Sequence, residues 1–182
     1  MGHKFADIVF TPDVKAIQQE AGSREQYATL ESMHDHNHIL RPREVSFITS
    51  RDSFYLASIS ESGWPYVQHR GGPKGFIKVL DEQTLGFADY SGNRQYVSTG
   101  NVASNNRVSL FLMDYTRRRR LKMLGHMTQV EDPAITVRLE DPEYPAIVER
   151  AFVIRIAAFD WNCPQHITQR FTEEEWLEIH SS

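Results

Sequence analysis

The sequence predicts a mainly β fold with flanking helices, its antiparallel strands closed into a barrel or a sandwich. Three observations carry this expectation. From Ser53 the hydrophobic pattern changes from a helical period to a strand period rich in β-branched and aromatic residues. About seven strand-like segments follow, most joined by short turns, and that many antiparallel strands close up to hide their edges. Val108–Tyr115, VSLFLMDY, is a nearly continuous apolar run, the pattern of a strand covered on both faces.

In order, residues 1–41 read as an N-terminal helical arm, with short helices over Val14–Ala21 and Arg24–Met33 broken at Gly22-Ser23. Ser23 is placed to cap the second, with Gln26 as its capping-box partner. His34 to His38, HDHNH, reads as a loop. Residues 42–182 read as the β domain, opened by a short helix with Pro42 at its first position. Ser53–Arg70 is a hairpin turning at Ser60–Gly63, and Gly71-Gly72-Pro73 breaks its second strand. Strands over Gly75–Asp81 and Thr84–Tyr90 come next, then a helix over Arg94–Ser104. Val108–Tyr115 pairs with Arg119–Val130, and a short helix lies near Ala134–Leu139. Phe152–Trp161 is the last strand and Thr172–His180 a closing helix.

The composition narrows the functional classes. At 182 residues, 40% apolar and a formal charge of −4, the chain suits one domain with a sizeable core. That balance points to no nucleic acid. The apolar runs are too short to span a membrane, and the N-terminus has no long apolar core with a small-residue cleavage site. Cys163 is the single cysteine, which fits a reducing compartment; a cytoplasmic protein is expected.

Chemistry concentrates in three cationic elements. Gly86–Gln95, GFADYSGNRQ, reads as a strand running through a turn into a helix with Asn93-Arg94-Gln95 at its mouth. Unpaired first-turn amides, the helix dipole and the Arg94 guanidinium together suit an anion. Asp89 and Tyr90 stand at the turn as site walls. Upstream, Gln68 and Arg70 share one strand face and His69 takes the other. Downstream, Arg117–Arg120 alternates as a strand, serving either an anion or an edge guarded against aggregation. His34, His36 and His38 have the period of a metal site but read better as a solvated loop, so no metal is expected. No Ser-His-Asp set, phosphate-binding loop or paired carboxylates stands out, and no catalytic residue is assigned.

Taken together, PYVQHRGGP, GFADYSGNRQ and VSLFLMDYTRRRRLKMLG resemble the pyridoxamine 5′-phosphate oxidase-like family of FMN-binding split barrels. The resemblance covers residues 43–128 well and 150–171 loosely. It implies an antiparallel split β-barrel working as a homodimer, with FMN in a groove between subunits. It implies flavin contacts from Gln68, His69 and Arg70, and a phosphate triplet at Asn93-Arg94-Gln95. Arg120 would reach a flavin held mainly by the other subunit, and Trp161, Asn162 and Gln165 would close the site. The oxidases carry arginine at the Gln68 position, lysine at the Gln95 position and an Arg-Leu-His-Asp motif where this chain has CPQHITQRF. The resemblance therefore implies flavin binding rather than the vitamin B6 oxidase reaction, and a small-molecule substrate or electron donor left open. A flavin carrier or sensor without turnover is the alternative. So is a barrel using haem, with His69 or His166 as axial ligand, or deazaflavin.

Overall fold

The computed structural model describes residues 3–33, 36–161 and 164–180. Among these, the strands are β1 (Ser53–Ile59), β2 (Pro65–Gly71), β3 (Lys78–Asp81), β4 (Thr84–Tyr90), β5 (Arg107–Asp114), β6 (Arg119–Val130) and β7 (Val148–Trp161). They form one seven-stranded antiparallel sheet in the order β2-β1-β5-β6-β7-β4-β3. The helices are α1 (Lys4–Val9), α2 (Pro12–Glu20), α3 (Arg24–Ser32), α4 (Pro42–Thr49), α5 (Val97–Ser104), α6 (Pro133–Leu139) and α7 (Glu173–His180). A mainly β fold with flanking helices is what the sequence predicted.

The sheet curls until β2, at one edge, faces β4 near the other. β2 and β4 lie far apart in the strand order, yet Arg70 of β2 forms an ion pair with Asp89 of β4. Phe54 of β1 meets the Phe87 ring of β4 edge-on at 5.3 Å, and Phe87 packs on Phe152 of β7. The enclosed face buries Phe54, Leu56, Leu110, Leu112, Leu121, Met123 and Ile154. Because side chains alternate across a strand, Gln68 and Arg70 lie on this inner face, opposite Leu56 and Phe54, while His69 lies outside opposite Tyr55. Helix α5 packs over the opening: Ser98 Oγ donates to Gln68 Oε1 at 2.8 Å and Asn101 Nδ2 to Ser58 Oγ at 3.0 Å.

Several local expectations need correction. β5 is buried on one face only: Val108, Leu110 and Leu112 are enclosed, whereas Ser109, Phe111 and Met113 are half-buried. An apolar residue at an alternating outward position had read as two-sided cover. The basic run is not one strand: Arg117 and Arg118 belong to the β5–β6 turn, with Arg118 at φ +50°, and only Arg119 and Arg120 pair in β6. Asp114 organises this turn by accepting from the Arg117 amide at 2.8 Å and from Arg119 at 3.0 Å. In the arm, α1 was not anticipated; it is capped by His3 and buries Phe5 and Ala6. Ser23 makes no capping bond to α3; its hydroxyl donates back to the Gln18 carbonyl instead. The arm is tied down where Asn37 Nδ2 donates to the Phe159 carbonyl at 2.9 Å. His34 and Asp35 lie outside the described residues. No described helix is long and apolar enough to cross a membrane.

Gly125 marks where the β6–β7 register shifts. A Cβ there would lie 2.7 Å from the Arg155 carbonyl oxygen and 2.7 Å from Ile154 Cγ2. Gly125→Ala is expected to lower stability by about 1–3 kcal/mol, the usual cost of overpacking. Urea unfolding checks this; an unshifted midpoint would show that the two strands can part freely here.

Candidate functional site

A cavity of about 220 Å³ opens where β2, β4, the β4–α5 loop and the head of β7 meet. β2 supplies Gln68 and Arg70, β4 supplies Asp89 and Tyr90, and the loop supplies Asn93, Arg94 and Tyr96. Gly92, Thr99 and Glu149 complete the lining. The structure thus brings six of the residues singled out in the sequence, Gln68, Arg70, Asp89, Tyr90, Asn93 and Arg94, around one space.

The loop corrects the expected helix mouth. Helix α5 begins at Val97, not at Arg94, and both Arg94 (φ +59°) and Tyr96 (φ +53°) are left-handed. Asn93 reads as an N-cap, but its Oδ1 accepts from the Gln95 amide at 3.2 Å, an Asx turn that holds the chain out of helix. Arg94 therefore approaches the cavity from a loop, with Nε 3.4 Å from Tyr96 Oη and 3.8 Å from Glu149.

The electrostatics are those of a partly neutralised cationic site. Arg70, Arg94 and Arg150 face two carboxylates, Asp89 and Glu149. Buried Asp89 bridges Arg70 and Arg150, the latter 3.4 Å away, and so fixes where both guanidinium groups stand. Glu149 accepts from Ser91 Oγ at 3.0 Å, Arg150 at 2.7 Å and Tyr96 Oη at 3.4 Å. The Ser91 hydrogen bond leads these contacts in holding the Glu149 carboxyl below the usual carboxylate range, against its burial. Burial, with Asp141 and Tyr144 nearby, raises the Tyr90 phenol above its ordinary value. Tyr90 Oη and Arg70 Nε are buried and find no hydrogen-bond partner among the described residues. Two donors on cavity-lining side chains are thus left without an acceptor, a disposition that suits an anionic oxygen.

The other singled-out residues lie elsewhere. His69 packs against Tyr55 on the outer face, ring centroids 5.6 Å apart. Gln95 is exposed beyond the cavity lining. Arg120 lies on the outer face opposite Met113, its Nε buried without a partner among the described residues. Trp161 ends β7, donating Nε1–H to Glu44 at 2.8 Å, with Arg43 stacked 4.2 Å over its ring. Gln165 is exposed in the turn after β7, and Asn162 and Cys163 lie outside the described residues. Sequence reasoning missed Tyr96, Thr99, Glu149 and Arg150. The available signal was the charged pair Glu149-Arg150 at the head of an apolar strand; the pairing of Arg150 with Asp89 is a long-range register that spacing does not reveal.

This architecture is that of the split β-barrels: one antiparallel sheet curled around its core, with a cavity against its flanking helix. The pyridoxamine 5′-phosphate oxidase family model matches residues 40–162, and the chain belongs to that family. Solved structures agree on the fold. HupZ of Group A Streptococcus is 10% identical, covering 72% of this chain and 100% of its own, with a TM-score of 0.55. An FMN-binding protein of Syntrophomonas wolfei is 10% identical, covering 82% of this chain and 97% of its own, at a TM-score of 0.51. A Lactobacillus delbrueckii protein, provisionally a pyridoxamine 5′-phosphate oxidase, is 20% identical, covering 69% and 96%, at a TM-score of 0.52. No curated protein matches the chain by sequence.

Proposed function

We propose that the protein binds FMN and works as a flavin-dependent oxidoreductase on a small molecule, as a homodimer with the flavin at the subunit interface. The observation that carries this reading is the cavity itself, lined by Arg70, Tyr90 and Arg94, with Tyr90 Oη and Arg70 Nε finding no acceptor among the described residues. Family membership and the Syntrophomonas FMN-binding protein, a relative in fold, support the same cofactor.

The fit is to one end of the cofactor. About 220 Å³ is below the roughly 300–1,000 Å³ of complete small-molecule sites. Arg70, Arg94, Asn93 and the Tyr90 hydroxyl would hold the phosphate, and Gln68, fixed by Ser98, would orient the adjoining part of the molecule. Bound FMN supplies hydride or electron transfer at its ring, so the chain needs no acid or base of its own for that chemistry. The protein's work is to bind, to orient and to exclude water.

Cover for the ring must then come from outside this cavity, and the outer sheet face offers the means. Val67 is 61% exposed on β2, with Tyr55 and Ile59 on the neighbouring strand and half-buried Phe111 and Met113 adjoining. Such a contiguous apolar face suits a two-fold contact with a second copy. Pairing there would bring His69 and Arg120, which lie on that outer face, to the interface.

Arg94→Ala tests the phosphate assignment. Losing a charged hydrogen bond should weaken FMN binding by roughly 1.5–3 kcal/mol in a fluorescence titration. Unchanged affinity would remove Arg94 from the phosphate contact.

A further inference from the structure

The donors around the cavity already serve an anion belonging to the chain. The Glu149 carboxylate takes hydrogen bonds from Ser91, Tyr96 and Arg150 and stands 3.8 Å from Arg94 Nε. Carboxylate and phosphate oxygens call on the same donors, hydroxyls and guanidinium forks. We infer that Glu149 is a built-in stand-in for the phosphate, which an incoming phosphate monoester must displace, so that Glu149 sets the affinity of the site. The inference rests on reading the cavity as the phosphate end of an FMN site.

Asp89 provides the contrast. Its side chain is 7% exposed and locked between Arg70 and Arg150 across the β4–β7 ladder, where it positions both arginines. Glu149 sits at the second residue of β7, at the cavity rim, and its partners Ser91, Arg94 and Tyr96 lie on the same irregular loop. A change of rotamer frees those partners without disturbing the sheet. With Asp89 and Glu149 both in place, three guanidinium groups meet two carboxylates, and a dianionic phosphate entering beside Glu149 meets like charge. The hydrogen bonds that keep the Glu149 carboxyl low keep it charged at neutral pH.

Glu149→Gln separates the charge from the shape. The amide oxygen still accepts from Ser91 and Tyr96, but the competing negative charge is gone. In titrations followed by flavin fluorescence, Glu149→Gln is expected to bind FMN about tenfold tighter than the natural chain, because like-charge juxtaposition is costly. Riboflavin, which has no phosphate, should bind both equally, and the inhibition constant of inorganic phosphate against FMN should fall in Glu149→Gln by about the same factor as the FMN dissociation constant. Glu149→Ala should move in the same direction. Unchanged or weaker FMN binding in both variants, with Arg94→Ala still weakening it, would overturn the stand-in and leave the flavin reading intact. An equal gain for riboflavin would overturn it too, since the effect would not run through the phosphate. No FMN binding by the natural chain would overturn both; FMN binding with no loss in Arg94→Ala would overturn the stand-in alone, since this cavity would then not hold the phosphate.

Discussion

Replacing Asp114 with alanine is expected to lower the unfolding free energy by about 3 kcal/mol, the scale of breaking a buried ion pair. The Asp114 side chain is 1% exposed at the end of β5. It accepts from the Arg117 amide and from Arg119, and Arg51 stands 3.7 Å away. Arg51 also donates to the Met113 carbonyl at 3.0 Å, so one carboxylate links the α4–β1 connection, the β5–β6 turn and the start of β6. Without it Arg119 can turn to water, but Arg51 is left largely enclosed with only Asp52 as a nearby carboxylate. The pH dependence follows. Burial would raise the Asp114 carboxyl, but the Arg117 amide, Arg119 and Arg51 outweigh it and hold it below the ordinary value. A group depressed in the folded state contributes its stability above the unfolded value, and loses it as pH falls through the folded one. The gap between the natural chain and Asp114→Ala should therefore be full at neutral pH and narrow below about pH 4. Urea unfolding at both pH values measures it, and a gap below about 1 kcal/mol at neutral pH would show the turn holding without its carboxylate.

Val67→Glu should break the proposed dimer. Val67 is 61% exposed in the single chain, on the outer face of β2 opposite Ala57, so the change leaves the core untouched. In a two-fold interface the substitution enters twice. Desolvating an unpaired carboxylate costs several kcal/mol, so the dimer should weaken by about 4 kcal/mol or more, roughly a thousandfold. Sedimentation at micromolar concentration should show a dimer for the natural chain and a monomer for the variant. FMN affinity should fall with it, because a cavity of about 220 Å³ covers only part of the cofactor. A variant that stays dimeric would move the interface away from this face; a monomeric natural chain would remove the shared site altogether.

What the sequence disclosed, and what it hid, follows from the range of the interactions involved. The two-residue period of a strand was enough to put Gln68 and Arg70 on one face and His69 on the other. The glycine-bearing turn after Asp89-Tyr90 likewise marked where the cavity would open. The start of α5 was illegible because Asn93 serves a cap or an Asx turn equally well, and the left-handed backbone of Arg94 and Tyr96 decided between them. The arginine run misled for a related reason: Asp114 draws the Arg117 amide into a turn and holds the Arg119 side chain from the first residue of β6, which alternation alone does not foresee. Arg150 and Glu149 entered the site through the pairing of β7 with β4, a contact between distant segments.

The account stands most directly on whether the chain keeps FMN. Its absorbance spectrum would be recorded after FMN is added and the sample dialysed, beside Arg94→Ala treated alike. A retained flavin spectrum with shifted bands, much reduced in Arg94→Ala, is the predicted result. A chain that returns from dialysis free of flavin, or that carries a Soret band instead, would contradict it.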